Sequence, residues 1–211
     1  ANKLYSHVYA ESGGTWVSDG GSWYAPHGAN VFIRKVFKPQ SNQELKYAVD
    51  WWCDDNSHNL ALSTYGDIST WDTSLITDMS GLFQDKTTFN DDIGNWDVSN
   101  VTDMNRMFYN CQAFNQNINS WDVGNVTSMN NMFFQCYIFN QPLNGWGNKL
   151  GNVTNMNALF YVAREFNQPL NSWDVSNVTI MGNMFADCIK FNQPLDTWDV
   201  ENVIYMNYMF I

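Results

Sequence analysis

The chain has 211 residues, 45% of them hydrophobic and 15% charged, the composition of a folded protein and not of a disordered one. Its net charge of −11 and pI near 4.3 argue against a nucleic-acid backbone or an anionic membrane as main partner, since both reward clustered Lys and Arg. No run of about 18 apolar residues exists to span a bilayer, and the start at Ala1 without Met implies either a removed signal peptide or a trimmed chain.

Residues 1–37 do not repeat and read as a β-rich segment. Thr15-Trp16-Val17 and Trp23-Tyr24-Ala25 flank the turn-forming Ser18-Asp19-Gly20-Gly21-Ser22, and Asn30 to Phe37 is rich in β-branched and aromatic residues, so strands and a hairpin are expected. Trp16, Trp23 and Tyr24 are candidate ligand contacts, or else simply cover the end of a neighbouring core. Residues 38–67 follow as a helical cap. Ser41-Asn42-Gln43-Glu44 is a capping box. Leu45, Ala48, Val49 and Trp52 recur at helical spacing, which predicts a helix from about Asn42 to Trp52 that would lid the first repeat. Asp54 to Ser57 reads as a loop.

Residues 68–211 repeat. Trp71, Trp96, Trp121, Trp146, Trp173 and Trp198 lie 25, 25, 25, 27 and 25 residues apart, a solenoid period. Val101, Met104, Met107, Phe108 and Cys111 have the spacing of one face of a short inward helix, capped by Ser99 or Asn100, while Ile118, Trp121 and Val123 read as a short strand. The expected fold is therefore an α/β repeat solenoid of about five to six coils, each contributing one parallel strand and one helix. The column Asn90, Asn115, Asn140, Asn167 and Asn192 is expected to be buried and to satisfy backbone amides, and Thr77, Thr102, Thr127, Thr154 and Thr179 to bond locally. Cys111, Cys136 and Cys188 share one repeat position with Ala163 and read as reduced inward thiols; a Cys111–Cys136 bridge is the rival.

The unit W-D-V-S-N-V-T-x-M-x-x-M-F-x-x-C-x-x-F-N-Q-P-L-N resembles the surface-protein repeat related to BspA-like leucine-rich repeats, over residues 68–211. The resemblance implies a right-handed, leucine-rich-repeat-like solenoid, an extracellular or cell-surface location, a role in adhesion or protein recognition, and no shared catalytic residues. Coil four departs from the pattern: Trp146-Gly147-Asn148-Lys149-Leu150-Gly151 adds two residues, and a local bulge is expected.

Five strand residues facing away from the core, Asp72, Asp97, Asp122, Asp174 and Asp199, form a candidate binding column broken at Gly147. Stacked carboxylates repel by about 1 kcal/mol per pair in water, so the column needs local hydrogen bonds, Ca²⁺ or a cationic partner. No calcium loop is present, and neither a metal nor any cofactor is expected. Asn100, Asn125, Asn152 and Asn177 each open an N-V-T sequon, a candidate glycan site or cap chemistry at a helix start. His7, His27 and His58 lack metal spacing, and neither a nucleophile elbow nor a phosphate loop occurs, so no enzyme is expected.

The leading expectation is a non-enzymatic recognition or adhesion module that binds protein or glycan, without nucleic acid or membrane insertion. The alternative is a structural building block that self-associates end to end, because Met206, Met209 and Phe210 are core-type residues in the last coil.

Overall fold

In the computed structural model the described residues are 36–211, with the backbone of four short strands before them. Strand β1 (Val8–Ala10) pairs antiparallel with β4 (Val31–Ile33), and β2 (Val17–Asp19) with β3 (Ser22–Tyr24). Trp16 lies outside the described residues, and for Trp23 and Tyr24 only the backbone within β3 is described.

Helix α1 (Asn42–Trp52) begins where its capping chemistry dictates. The Ser41 side chain accepts the Glu44 amide (3.1 Å), and the Glu44 carboxylate reaches back to the Gln40 amide (2.6 Å). Its apolar stripe, Leu45, Ala48, Val49 and Trp52, is buried in the same core as the coils. A second helix, α2 (His58–Tyr65), packs on α1 and ends at Gly66, whose φ of +78° favours glycine. The sequence reading missed α2; of its residues only Ala61 is buried, so its periodicity is too weak to see. Trp52, Tyr65 and Phe37 meet Trp71 edge-on at 5.2–6.0 Å, which covers the first coil.

Six coils then stack, at 71–95, 96–120, 121–145, 146–172, 173–197 and 198–211. They are not the strand-plus-helix units expected. Among the described residues no coil contains a strand or an α-helix, so the chain is not an α/β, leucine-rich-repeat-like solenoid. What remains of the expected strand is one bridging residue per coil, in the series Asp78, Asp103, Ser128, Asn155, Ile180 and Tyr205. It lies past the Trp, not at Ile118–Val123.

The M-x-x-M-F segment is a chain of overlapping turns in which alternate amides have different destinations. Met104, Arg106, Phe108 and Asn110 donate to Ser128, Asn130, Met132 and Phe134 of the next coil, at 2.7–3.1 Å. Met107, Tyr109 and Cys111 donate three residues back, to Met104, Arg106 and Phe108. A helix would instead send every amide four residues back. Arg106 and Asn110 have φ of +54° and +58°, which a helix cannot contain, and the equivalents in other coils, such as Gly81, Asp85, Asn131 and Asp187, have positive φ too. In the long coil the expected bulge is a 3₁₀ helix at Asn144–Lys149.

The inward side chains fill the interior in columns. Val101, Met104, Met107, Phe108, Cys111, Phe114, Ile118, Trp121 and Val123 are all at most 1% exposed. Phe83, Phe108, Phe133, Phe160 and Phe185 stack nearly parallel at 5.5–5.7 Å, with a second file through Phe89, Phe114, Phe139, Phe166 and Phe191. The buried indoles keep their polar atoms satisfied by backbone of an earlier turn of the stack: Trp121 Nε1 donates to the Ile93 carbonyl (3.2 Å) and Trp146 Nε1 to that of Ile118 (3.1 Å), each 28 residues back. Among the described residues, no buried side-chain nitrogen or oxygen lacks a partner.

Candidate functional site

The polar columns between coils are clamps. In the Asn90 column the side-chain oxygens of Asn90, Asn115, Asn140 and Asn167 each accept the next coil's backbone amide, as in Asn140 N to Asn115 Oδ1 (3.0 Å) and Asn167 N to Asn140 Oδ1 (2.9 Å). These residues satisfy amides as expected, but they are half-buried or exposed, not buried. The Thr hydroxyls bond across coils and not locally: Thr127 Oγ1 and its amide both donate to the Thr102 carbonyl. Asn100, Asn125, Asn152 and Asn177 are exposed, yet each Nδ2 donates to a carbonyl of the previous coil at 2.7–2.9 Å. The sequon Asn therefore clamps two coils and caps no helix, and its Nδ2 is the atom to which a glycan would have to attach.

The Asp column is explained by local bonds. Asp97 Oδ1 accepts the Ser99 amide (3.0 Å) and hydroxyl (2.6 Å), and Asp174 Oδ1 accepts the same pair from Ser176 (3.2 and 2.7 Å). Asp122 and Asp199 accept the amides of Gly124 and Glu201, closing the same two-residue turn. The Ser176 hydroxyl, helped by its amide, holds the Asp174 carboxyl below its ordinary value. At Asp72, burial pushes the carboxyl upward, but bonds from Ser74 and Lys38 outweigh it and leave it lowered. The column breaks at Gly147 because a Cβ there would lie 2.6 Å from the Ser172 carbonyl oxygen.

Cys111, Cys136 and Cys188 are free and buried, and each thiol donates to a Phe carbonyl of the previous coil at 2.9–3.1 Å. Burial raises all three pKa values, that of Cys188 to about 12. Such thiols are poor nucleophiles. In the last coil Met209 is buried, while Met206 and Phe210 are 39% and 61% exposed; Phe210 stacks on Phe185.

Two outward features escaped the sequence reading. Tyr109, Phe134 and Tyr161, half-buried on successive coils, stack face to face at 4.4 and 4.8 Å with 6° between planes. The same repeat position holds Gln84 before them and Ala186 after them. The signal was an aromatic in the residue after M/L-F in three consecutive repeats. Beside the file lies an open cleft of about 600 Å³ between α1 and the first two coils, lined by Lys46, Gln84, Asp85, Asp103, Asn105 and Arg106 among others. The Arg106 guanidinium lies 5.8 Å from the Tyr109 ring centroid.

Among the described residues, no group of three or more His, Cys, Asp or Glu is placed to hold a metal ion, and no helix is long and apolar enough to cross a membrane. The family model for "Mycoplasma protein of unknown function, DUF285" matches residues 55–152 and 147–211. The chain belongs to the DUF285 family. Its two matched segments overlap at 147–152, within the coil that carries the two extra residues. Neither a curated protein nor a solved structure matches the chain.

Proposed function

We propose that this DUF285 chain is a non-enzymatic recognition module, extracellular or at the cell surface, that binds protein or glycan through an outward face of its stacked coils. The observation that carries the reading is the Tyr109–Phe134–Tyr161 file. Stacking the coils does not require it, since Gln84 and Ala186 serve at the same position. An ordered, partly exposed aromatic array running over three successive coils is suited to be a contact surface. The repeat's likeness to BspA-like surface-protein repeats supports the location and the recognition role. The exposed Asp column is a less favoured face, because its local turns already account for the carboxylates.

Binding to protein and glycan arrays tests the reading. The wild-type chain should bind at least one ligand, and replacing Tyr109, Phe134 and Tyr161 together by Gln should abolish that binding with the fold intact by circular dichroism. Loss instead on changing Asp97, Asp122 and Asp174 to Asn would move the site to the acidic column, and no binding on either array would sink the reading. Protease shaving of intact source cells tests the location: release of peptides from this chain is expected, and complete protection would refute it.

A further inference from the structure

We infer that the cleft at the coil-one end of the aromatic file is a subsite for a neutral hexose unit of a glycan; the inference rests on the recognition reading above.

The lining chemistry selects the ligand class. Lys46 and Arg106 bring two positive charges and Asp85 and Asp103 two negative ones, so the cleft is neutral although the chain carries −11. An anionic ligand would meet the carboxylates, a cationic one the ammonium and guanidinium, and an apolar one would strand all four. A sugar hydroxyl both donates and accepts, so it can use both kinds of group at once. Gln84 and Asn105 line the same wall, with their amides already engaged: Gln84 Nε2 donates to Asp85 (3.2 Å), and Asn105 Oδ1 accepts from Ser128 Oγ (2.6 Å) and the Asn130 amide (3.0 Å). The cleft volume of about 600 Å³ falls inside the range of roughly 300–1,000 Å³ usual for small-molecule sites.

The cations are available for this. Lys38, Lys86, Lys149 and Lys190 each pair with a carboxylate, whereas neither Lys46 nor Arg106 forms an ion pair among the described residues. Lys46 Nζ has only a long bond to the Gly81 carbonyl, 3.4 Å, and Arg106 is held over Tyr109. The carboxylates are held by neighbouring groups: Asp85 accepts Asn110 Nδ2 (2.9 Å) and Gln84 Nε2 (3.2 Å), and Asp103 accepts the Asn105 backbone amide (2.8 Å).

The aromatic file positions one of these cations. Phe134 covers one face of Tyr109, and the Arg106 guanidinium lies over the ring 5.8 Å from its centroid, so Tyr109 acts by holding that cation at the cleft and not as a platform for the sugar.

The full chain is titrated calorimetrically with neutral gluco-, manno- and galacto-oligosaccharides, with an oligouronate and oligolysine as charged probes. Two variants are compared, Asp85→Asn, with the residue that Asn110 places at the same positive-φ position one coil on, and Tyr109→Gln, with the residue of coil one; circular dichroism melting verifies their folds. At least one neutral oligosaccharide should bind saturably, and each variant should weaken it by about tenfold or more. Neutral-sugar binding that both variants leave unchanged, a preference for the oligouronate or oligolysine, or no neutral-sugar binding would each overturn the subsite. If a protein or another glycan still binds the wild-type chain in that case, the recognition reading survives without the cleft.

Discussion

Single residues here carry a backbone geometry that most side chains avoid. Among the described residues, ten non-glycine residues have positive φ, including Ala158 at +51° and Val162 at +58°. An L-residue in that region costs roughly 1–2 kcal/mol, and the stack accepts this because the turn presents the next amide to the neighbouring coil. Ala158 N donates to the Gly182 carbonyl at 2.8 Å. The strain gives two opposed predictions. Ala158→Gly should stabilise the chain by about 0.5–1 kcal/mol, relief of strain exceeding the entropy glycine adds to the unfolded state. Gly81→Ala, at φ +61° with its nearest new neighbour the Gln84 side chain at 3.5 Å, should destabilise by about 1 kcal/mol, because strain and not crowding decides it. Urea midpoints measure both; shifts of the same sign would refute this account of the turns.

At the scale of elements, the first coil needs a substitute for the coil it lacks. In every later coil, Thr or Ile donates its amide to the Thr one coil before, as Thr102 does to Thr77. Thr77 itself, with Asp78, donates to the Asn42 side-chain oxygen at 3.2 and 3.4 Å, so the first residue of α1 stands in for the missing carbonyl. Asn42→Ala should cost about 1 kcal/mol and, more specifically, should accelerate hydrogen exchange at Thr77 and Asp78 while leaving Thr127 unchanged. Uniform acceleration would mean that Asn42 matters only as a helix residue. The sequence made α1 legible because its cap and apolar stripe are local. It also made legible which side chains point inward, since the spacing of Met104, Met107, Phe108 and Cys111 fixes that for any compact backbone. It could not distinguish a helix from overlapping turns, because turns closed three residues back give the same spacing of three, three, one and three. The discriminating signal lay in two other columns, where Gly81, Asn131 and Asn183, and Asp85, Asn110 and Asp187, are the residue types that tolerate positive φ. The Asp column was found as a pattern with local hydrogen bonds among its explanations; that the partner is the residue two ahead in the same coil needed coordinates. The aromatic file was hidden because its column holds Gln84 before it and Ala186 after it, so the aromatic does not belong to the repeat as a whole.

At the scale of the whole molecule, burying three free thiols in one continuous core, with Cys53 partly buried against it, ties stability to alkaline pH. Burial holds Cys53 and Cys188 up to about 12, against an ordinary 9.0, and raises Cys111 and Cys136 as well. The folded chain keeps these protons at pH values where the unfolded chain has lost them, so the unfolded state gains the favourable ionisation. The contribution is therefore complete below about pH 9 and is lost as pH rises from there towards about 12. By pH 10.5 the Cys188 thiol alone should have removed about 2 kcal/mol, a loss visible as a falling urea midpoint between pH 8 and 10.5. Cys188→Ala uses the residue that coil four already carries as Ala163, so the coil should tolerate it, and it should make that fall shallower even if it lowers the midpoint at pH 8. An unchanged slope would show that thiol burial does not set the alkaline limit. Iodoacetamide gives an independent readout at pH 8: Cys111, Cys136 and Cys188 should be alkylated only as fast as the stack opens, and their protection should disappear together in denaturant, because the columns that bury them run without a break from coil to coil.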